Sequence, residues 1–225
     1  MNGRIDLLND TVWARELTAD ELDRARRGVS EKTFSRGSYV CHRGDRLDYW
    51  TGVVSGLVKI SAISVTGKAM TFAGVGAGGW FGEGSVLKDE PRRYDLVAIG
   101  ETRLAMLSRP VFMWLFENST GFNRFLVRQL NERLGQFIAT IEHDRILSPK
   151  TRVARHLAWL FNSVLYPDTR THIDIGQEEL ALLAGLSRQA VSKALQSLES
   201  ERLLSVEHGR IVVHDLDGLL DYEEQ

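Results

Sequence analysis

The stretch from Gln177 to Leu195 carries the most specific chemistry in the sequence. Leu180, Ala184, Leu186, Val191 and Leu195 are apolar, Ala181 is small, and Gly185 sits between two helical patterns. A small residue on a first helix lets a second pack close, and glycine allows the tight turn between them. Ser187 stands where an N-cap belongs, opening a helix through Arg188-Gln189-Ala190-Val191-Ser192-Lys193. With Val191 and Leu195 facing inward, Arg188, Gln189, Ser192 and Lys193 share the outward face. The second helix of such a pair enters the major groove N-terminal end first. There arginine pairs with guanine O6 and N7, and glutamine with adenine N6 and N7. Leu203 to Val206 and Ile211 to Val213 flank Glu207-His208-Gly209-Arg210 and read as a β-hairpin wing. The alternative is a helical pair serving protein contacts. Residues 150–225 hold eight Lys or Arg against twelve Asp or Glu, a balance of −4. Nucleic-acid binding therefore rests on local geometry and not on a basic domain.

Other spacings carry less. Gly74-Val75-Gly76-Ala77-Gly78-Gly79 matches G-x-G-x-x-G, but that motif needs a helix N-terminus directly after it. Trp80-Phe81-Gly82-Glu83 follow with no helical run expected, so a dinucleotide-using enzyme is set aside. Cys41 and His42 could each ligate haem or a metal, yet neighbours on a strand point to opposite faces and would seldom share a site. A lone cysteine supplies neither an internal disulfide nor a four-thiolate iron–sulfur site. No metal site and no catalytic nucleophile–base pair is predicted.

These side chains need elements to hold them. The chain has 225 residues, 43% hydrophobic and 26% charged, with a formal net charge of −2. That is enough for one large domain or two small ones, and it excludes a polybasic coat protein. The longest uncharged run, Ala69 to Gly82, has fourteen residues with five glycines. It is too short to span a bilayer, which takes about 20 residues. The opening Met1-Asn2-Gly3-Arg4-Ile5-Asp6 has no apolar signal core, so a cytoplasmic, non-membrane protein is expected.

Fourteen of the twenty glycines precede residue 109. They separate β-rich runs at Gly52 to Ser61, Ala69 to Phe72, Leu96 to Ile99 and Arg103 to Leu107, as in an antiparallel roll or barrel. Asp20 to Arg27 reads as a short helix with Thr18 as its N-cap. Beyond Arg109 the pattern turns helical, with Pro110 in a first turn. A long helix is expected from Gly121 to Leu147, where Val127, Leu130, Leu134, Phe137 and Ile141 recur at spacings of three and four. That is a coiled-coil seam, or else the face of a helix lying on its own domain. Ser148-Pro149 ends it, and residues 150–225 read as a separate small domain.

Taken together, the chain resembles the CRP/FNR family of bacterial transcription regulators over about residues 12 to 217. Two stretches carry the resemblance. One is Gly78-Gly79-Trp80-Phe81-Gly82-Glu83 followed by Arg92-Arg93 and Leu96-Val97-Ala98. The other is Gln177-Glu178-Glu179-Leu180-Ala181 with Gly185 to Lys193. The resemblance implies an α+β fold in three parts. These are a double-stranded β-helix sensor domain (the β-roll) over 1–120, a dimerisation helix over 121–148, and a winged helix-turn-helix domain over 149–225. It implies a homodimer joined by Val127, Leu130, Leu134, Phe137 and Ile141, a pseudo-palindromic double-stranded DNA operator, and RNA polymerase as a partner. Arg188 matches the family arginine that reads guanine. Gln189 stands where many members have glutamate, which shifts the expected base preference. Lys193 replaces a frequent arginine and lacks its bidentate fork. Ser187 and Gln177 are assigned to phosphate contacts.

By the same resemblance, Gly82, Glu83, Gly84, Arg92, Arg93, Tyr94 and Phe137 are the candidate effector site. Glu83 would accept from a ribose hydroxyl, Arg93 would neutralise a cyclic phosphate, and N–H groups near Gly82 and Gly84 would complete an anion nest. Two departures disfavour classical cAMP as the cyclic nucleotide. Tyr94-Asp95 follow the arginine where cAMP-binding members have small residues, and Phe137-Ile138 fall where those members place hydroxyls. A salt bridge between Glu83 and Arg93 is the purely structural reading. A ligand-independent regulator with a degenerate pocket and a haem-based gas sensor remain as alternatives.

Overall fold

In the computed structural model, residues 7–8, 11–67, 69–169 and 171–223 are described. The opening Met1 to Asp6, on which the expectation about export rests, lies outside the described residues. Thr18 caps the first helix, α1 (Ala19–Gly28). Its backbone N–H donates to Glu21 Oε2 at 2.7 Å while its hydroxyl accepts from the Glu21 N–H, a reciprocal capping box.

Strands β1 (Val29–Phe34), β2 (Tyr39–Cys41), β3 (Tyr49–Ser55), β4 (Val58–Ile63), β5 (Ala69–Val75) and β6 (Trp80–Phe81) follow. Then come a short helix α2 (Glu83–Lys88) and strands β7 (Asp95–Ala98) and β8 (Thr102–Ser108). They form two antiparallel four-stranded sheets, ordered β1-β8-β3-β6 and β2-β7-β4-β5. The inner faces meet at Phe34, Val53, Val58, Ile60, Val75, Phe81, Leu96 and Leu104, all buried.

Two expectations are corrected here. The single run from Gly52 to Ser61 is two strands, because Gly56 turns the chain with φ of 91°. A Cβ on Gly56 would lie 2.5 Å from the Glu101 carbonyl, so only glycine fits this corner. A helix also does follow the glycine run, since α2 opens at Glu83 after the left-handed Gly82. It comes only after the intervening strand β6, so Gly74 to Gly79 end β5 and form its turn into β6 rather than opening a helix.

Helices α3 (Arg109–Asn118) and α4 (Thr120–Ile146) come next, with Ser119 capping α4 through its hydroxyl and the Phe122 N–H. One face of α4 lies on the roll. There Phe122 joins Trp13, Trp50, Trp80 and Phe112 in an aromatic core, with the rings of Trp50 and Trp80 at 4.3 Å.

The C-terminal part comprises α5 (Pro149–Trp159), β9 (His172–Ile173), α6 (Gln177–Ala184), α7 (Arg188–Ser200), β10 (Leu204–Glu207), β11 (Arg210–Val213) and α8 (Leu216–Leu220). Strands β10, β11 and β9 make a small antiparallel sheet. Its core gathers Val153, Leu157, Leu180, Val191, Leu195, Leu204 and Ile211, and takes Leu57 from the roll. In exchange Leu165 and Tyr166 pack into the roll's core. Among the described residues no helix is long and apolar enough to cross a membrane.

Candidate DNA interface and sensor cavity

The turn between α6 and α7 is built by Gly185, which ends α6 in the left-handed region at φ of 62°. Ser187 then caps α7, its Oγ accepting from the Ala190 N–H at 3.2 Å. Val191, Ala194, Leu195 and Leu198 are buried and fix the rotation of α7 about its axis. That rotation turns Arg188, Gln189 and Lys193 to solvent, with Ser192 half-buried beside them and Gln177 half-buried at the start of α6. Among the described residues Arg188 and Lys193 engage no carboxylate, so both cations stand free at the helix's outer face. All six residues named from the sequence lie on the paired helices or their connecting turn. Arg152 of α5 donates to the Ala184 carbonyl and locks the end of α6.

The long helix α4 carries two apolar faces. Phe122, Phe125 and Leu126 are buried on the roll, while Val127 (67%), Leu134 (57%) and Ile141 (54%) stay exposed, as do Leu130 and Phe137. A stripe of five large apolar side chains in water is costly at about 25 cal/mol per Å².

Between α4 and the roll is a cavity of about 310 Å³. Ile60, Phe72, Phe81, Tyr94 and Phe137 supply its apolar wall, Gly82 its floor, and Glu83 and Arg133 its charges. Four of the predicted site residues thus meet there: Gly82, Glu83, Tyr94 and Phe137. Gly84, Arg92 and Arg93 do not line it. Arg92 is buried behind Gly82, its guanidinium where a Gly82 side chain would lie, and donates to the Tyr49 carbonyl at 3.2 Å. Arg93 points outward, 75% exposed, and pairs with Glu90 at 3.1 Å. No Glu83–Arg93 salt bridge forms among the described residues. Asp95 does not line the cavity either; its carboxylate accepts from the Arg43 N–H at 2.8 Å. Tyr94 alone provides the crowding expected of that pair.

Arg133 escaped the sequence reading. It donates Nη2 to the Trp80 carbonyl at 3.0 Å and leaves Nε buried without a partner, as Glu83 leaves Oε2. The signal was present: Gln129, Arg133 and Gln136 are polar at helical spacing on the face that Phe122, Phe125 and Leu126 turn to the roll, about a third of a turn from the exposed stripe, and all three are buried. Buried polar atoms without a partner are rare in folded proteins, and two of them on residues that line one cavity single it out as a candidate ligand site. Cys41 is buried, and burial pushes its thiol up to about 11, while His42 lies exposed against Tyr39 at 4.0 Å. His42 lies just beyond the end of β2, so the opposition of neighbouring strand residues does not apply to this pair.

Comparison with known proteins agrees in both halves. Residues 31–119 match the cyclic nucleotide-binding domain family, and residues 151–222 match the Crp-like helix-turn-helix domain family. The "Cyclic AMP receptor protein" of Thermus thermophilus is 28% identical over 199 residues, spanning 88% of this chain and 90% of that protein. The crystal structure of a CRP/FNR-family transcriptional regulator, also from Thermus thermophilus, covers 84% of this chain and 96% of its own, at 26% identity and a TM-score of 0.61. FixK2 from Bradyrhizobium japonicum shares the fold at a TM-score of 0.72 with 18% identity, covering 88% of this chain and 98% of that one.

Proposed function

This chain belongs to the CRP/FNR family of DNA-binding transcription regulators, and from that premise we propose that it acts as a homodimer whose two α7 helices read a pseudo-palindromic operator. The exposed stripe Val127, Leu130, Leu134, Phe137 and Ile141 of α4 is the dimer seam. A second copy would remove that apolar surface from water, which is the main drive for association. Two-fold symmetry would then present the recognition helices to successive major grooves, about one helical turn apart. Arg188 would read a guanine, Gln189 and Ser192 the neighbouring bases, and Lys193, Ser187 and Gln177 the phosphates.

The cavity beneath α4 is assigned to a small effector. The unsatisfied Arg133 Nε and Glu83 Oε2 call for a ligand with an anionic group for Arg133 and a donor for Glu83, enclosed by aromatic walls. A cyclic nucleotide meets that description. Classical cAMP meets it less well, because Tyr94 narrows the cavity and Phe137 offers an adenine edge no hydrogen bond. Because α4 both lines the cavity and carries the seam, an occupant would bias the packing of the two copies and the spacing of the helices they present.

The observation that carries the reading is the free, outward Arg188 on a helix capped and rotated by its own core. Fluorescence anisotropy with a selected operator duplex tests it. Arg188→Ala should lose at least about tenfold in specific affinity, the worth of one bidentate base contact, with its circular dichroism unchanged. Undiminished operator affinity in that variant would remove the assignment.

A further inference from the structure

The glycine run that closes β5 and turns into β6 has one neighbour in common, the segment 160–169 between α5 and β9. A Cβ on Gly74 would lie 2.8 Å from Leu160, one on Gly76 2.6 Å from the Thr169 hydroxyl, and one on Gly79 2.7 Å from the Tyr166 ring. Gly78 is as close to Pro167, and the Asp168 N–H donates to the Ala77 carbonyl at 3.3 Å. Glycine weakens a strand and its turn, so a run of it is retained where another stretch of chain must approach the backbone closely. Beside the run, Leu165 and Tyr166 enter the core of the roll, and both are buried. The segment is also tied to α4, where Asn162 Nδ2 donates to Glu132 Oε1 at 2.8 Å. Asn162 Oδ1 in turn accepts from the Val164 and Leu165 N–H groups and shapes the segment from within.

We propose that this docking is a ruler for operator spacing: by seating the C-terminal part on its own roll, it determines which separation of half-sites the two α7 helices can read. The inference rests on the reading of the chain as a homodimer on an inverted repeat. Only Leu147 and Ser148 separate α4 from α5, and so short a joint sets a pivot rather than an orientation. Arg152 pairs with Asp144 across that joint at 2.9 Å, and Lys59 of β4 with Glu179 of α6 at 2.7 Å. Such ion pairs of long side chains can follow a tilt. Apolar groups packed into a core cannot, because close-packed interiors hold discrete arrangements. The seated segment therefore fixes the direction in which α7 points. Each base pair added between half-sites moves one of them roughly 3.4 Å along the duplex and about 35° around it. A C-terminal part held on its seat cannot follow that move, whereas one released from it can.

Two measurements on the full chain test it. Hydrogen exchange over 160–169, without DNA, reads the seat itself. Gly76 lies outside the left-handed region, so its backbone accepts Gly76→Val while the new side chain collides with Thr169 and Tyr166. Exchange should rise about tenfold in that variant, as overpacking of one site implies, and fall back when Thr169→Gly removes the facing side chain. Asn162→Ala, which alters no residue of the roll, should raise it less. The same proteins are then bound to inverted repeats whose half-sites are moved one and two base pairs to either side of the selected optimum. The wild type should lose at least about tenfold for each step, while Gly76→Val should bind the whole series within about threefold. Adding Thr169→Gly should restore the discrimination. A segment that only fills space would change the affinity for every spacing alike. Unchanged exchange in both Gly76→Val and Asn162→Ala, or a spacing profile parallel to the wild type in a variant whose segment is released, would overturn the proposal. A wild type that binds no inverted repeat would remove the reading beneath it, and the ruler with it.

Discussion

Tyr166 donates its phenolic hydroxyl to Gln136 Oε1 on α4 at 3.3 Å, with both side chains buried. The ring itself packs into the core of the roll, although Tyr166 comes after α5 in the C-terminal part. One side chain therefore touches the roll, the long helix and the C-terminal part together, and burial holds its phenol above the usual tyrosine range. Tyr166→Phe should cost about 1 kcal/mol, one hydrogen bond, and leave a single unfolding transition. Tyr166→Ala should cost about 3–5 kcal/mol and let the C-terminal part melt separately. Urea unfolding followed by both tryptophan fluorescence and circular dichroism distinguishes the two. Coincident transitions in Tyr166→Ala would mean the parts are coupled elsewhere.

The seam on α4 makes a prediction about mass. Leu134 is 57% exposed in the single chain, so a charge there should cost the fold little. In a dimer the same charge would be buried against its copy. Leu134→Glu should therefore sediment as one folded chain where the wild type sediments as two. A dimer that survives the substitution would place the interface on another face.

Gln189 predicts a change in what is read rather than how tightly. Glutamine can donate and accept, whereas glutamate only accepts. Gln189→Glu should favour cytosine at one symmetric position of each half-site, since carboxylates accept from cytosine N4. Selection from random oligonucleotides should show that single change. An unchanged motif would mean Gln189 does not face a base.

The helix pair was legible in the sequence because each of its constraints is local. Gly185 must be left-handed, Ser187 must cap, and Val191 with Leu195 must face inward, so a short stretch of chain fixes the geometry. The exposed apolar stripe of α4 was legible for the same reason, although its periodicity alone could not say which face of α4 lies on the roll. The cavity beneath α4 was only half legible. Gly82 and Glu83 sit in a short motif, but which of Arg92 and Arg93 turns inward depends on strand twist and on the space left by Gly82. Arg133 comes from an element far along the chain, and only the docking of α4 on the roll brings it to the cavity that Glu83 lines. The short helix α2 is too brief to show a helical period, and Gly56 hid a corner inside what read as one strand.

The joint between α4 and α5 predicts a pH dependence. His156 is buried beside Asp144 at 3.5 Å, and His143 sits across from it with ring centroids 6.3 Å apart. Burial lowers both imidazoles below the ordinary 6.5. Arg155 adds to this at His143, and Asp144 offsets part of it at His156. Below pH 6.5 the unfolded chain takes up these protons before the folded one does. Stability contributed here is therefore complete above pH 6.5 and falls as the pH drops toward the lowered folded values. Melting temperatures taken from about pH 7.5 down to 5 should decline over the lower half of that range. His156→Gln, which cannot charge, should flatten the decline, and an identical slope in the variant would assign it to other groups.

The central claim is that two α7 helices, related by a two-fold axis, read DNA together. Operator selection with the purified chain, run with and without a panel of cyclic mono- and dinucleotides and followed by sedimentation of the selected complex, tests it most directly. An inverted repeat with half-site centres about one helical turn apart, bound by two chains per duplex, is the expected result. A complex holding one chain, or no sequence enriched over scrambled competitor under any condition, would contradict it.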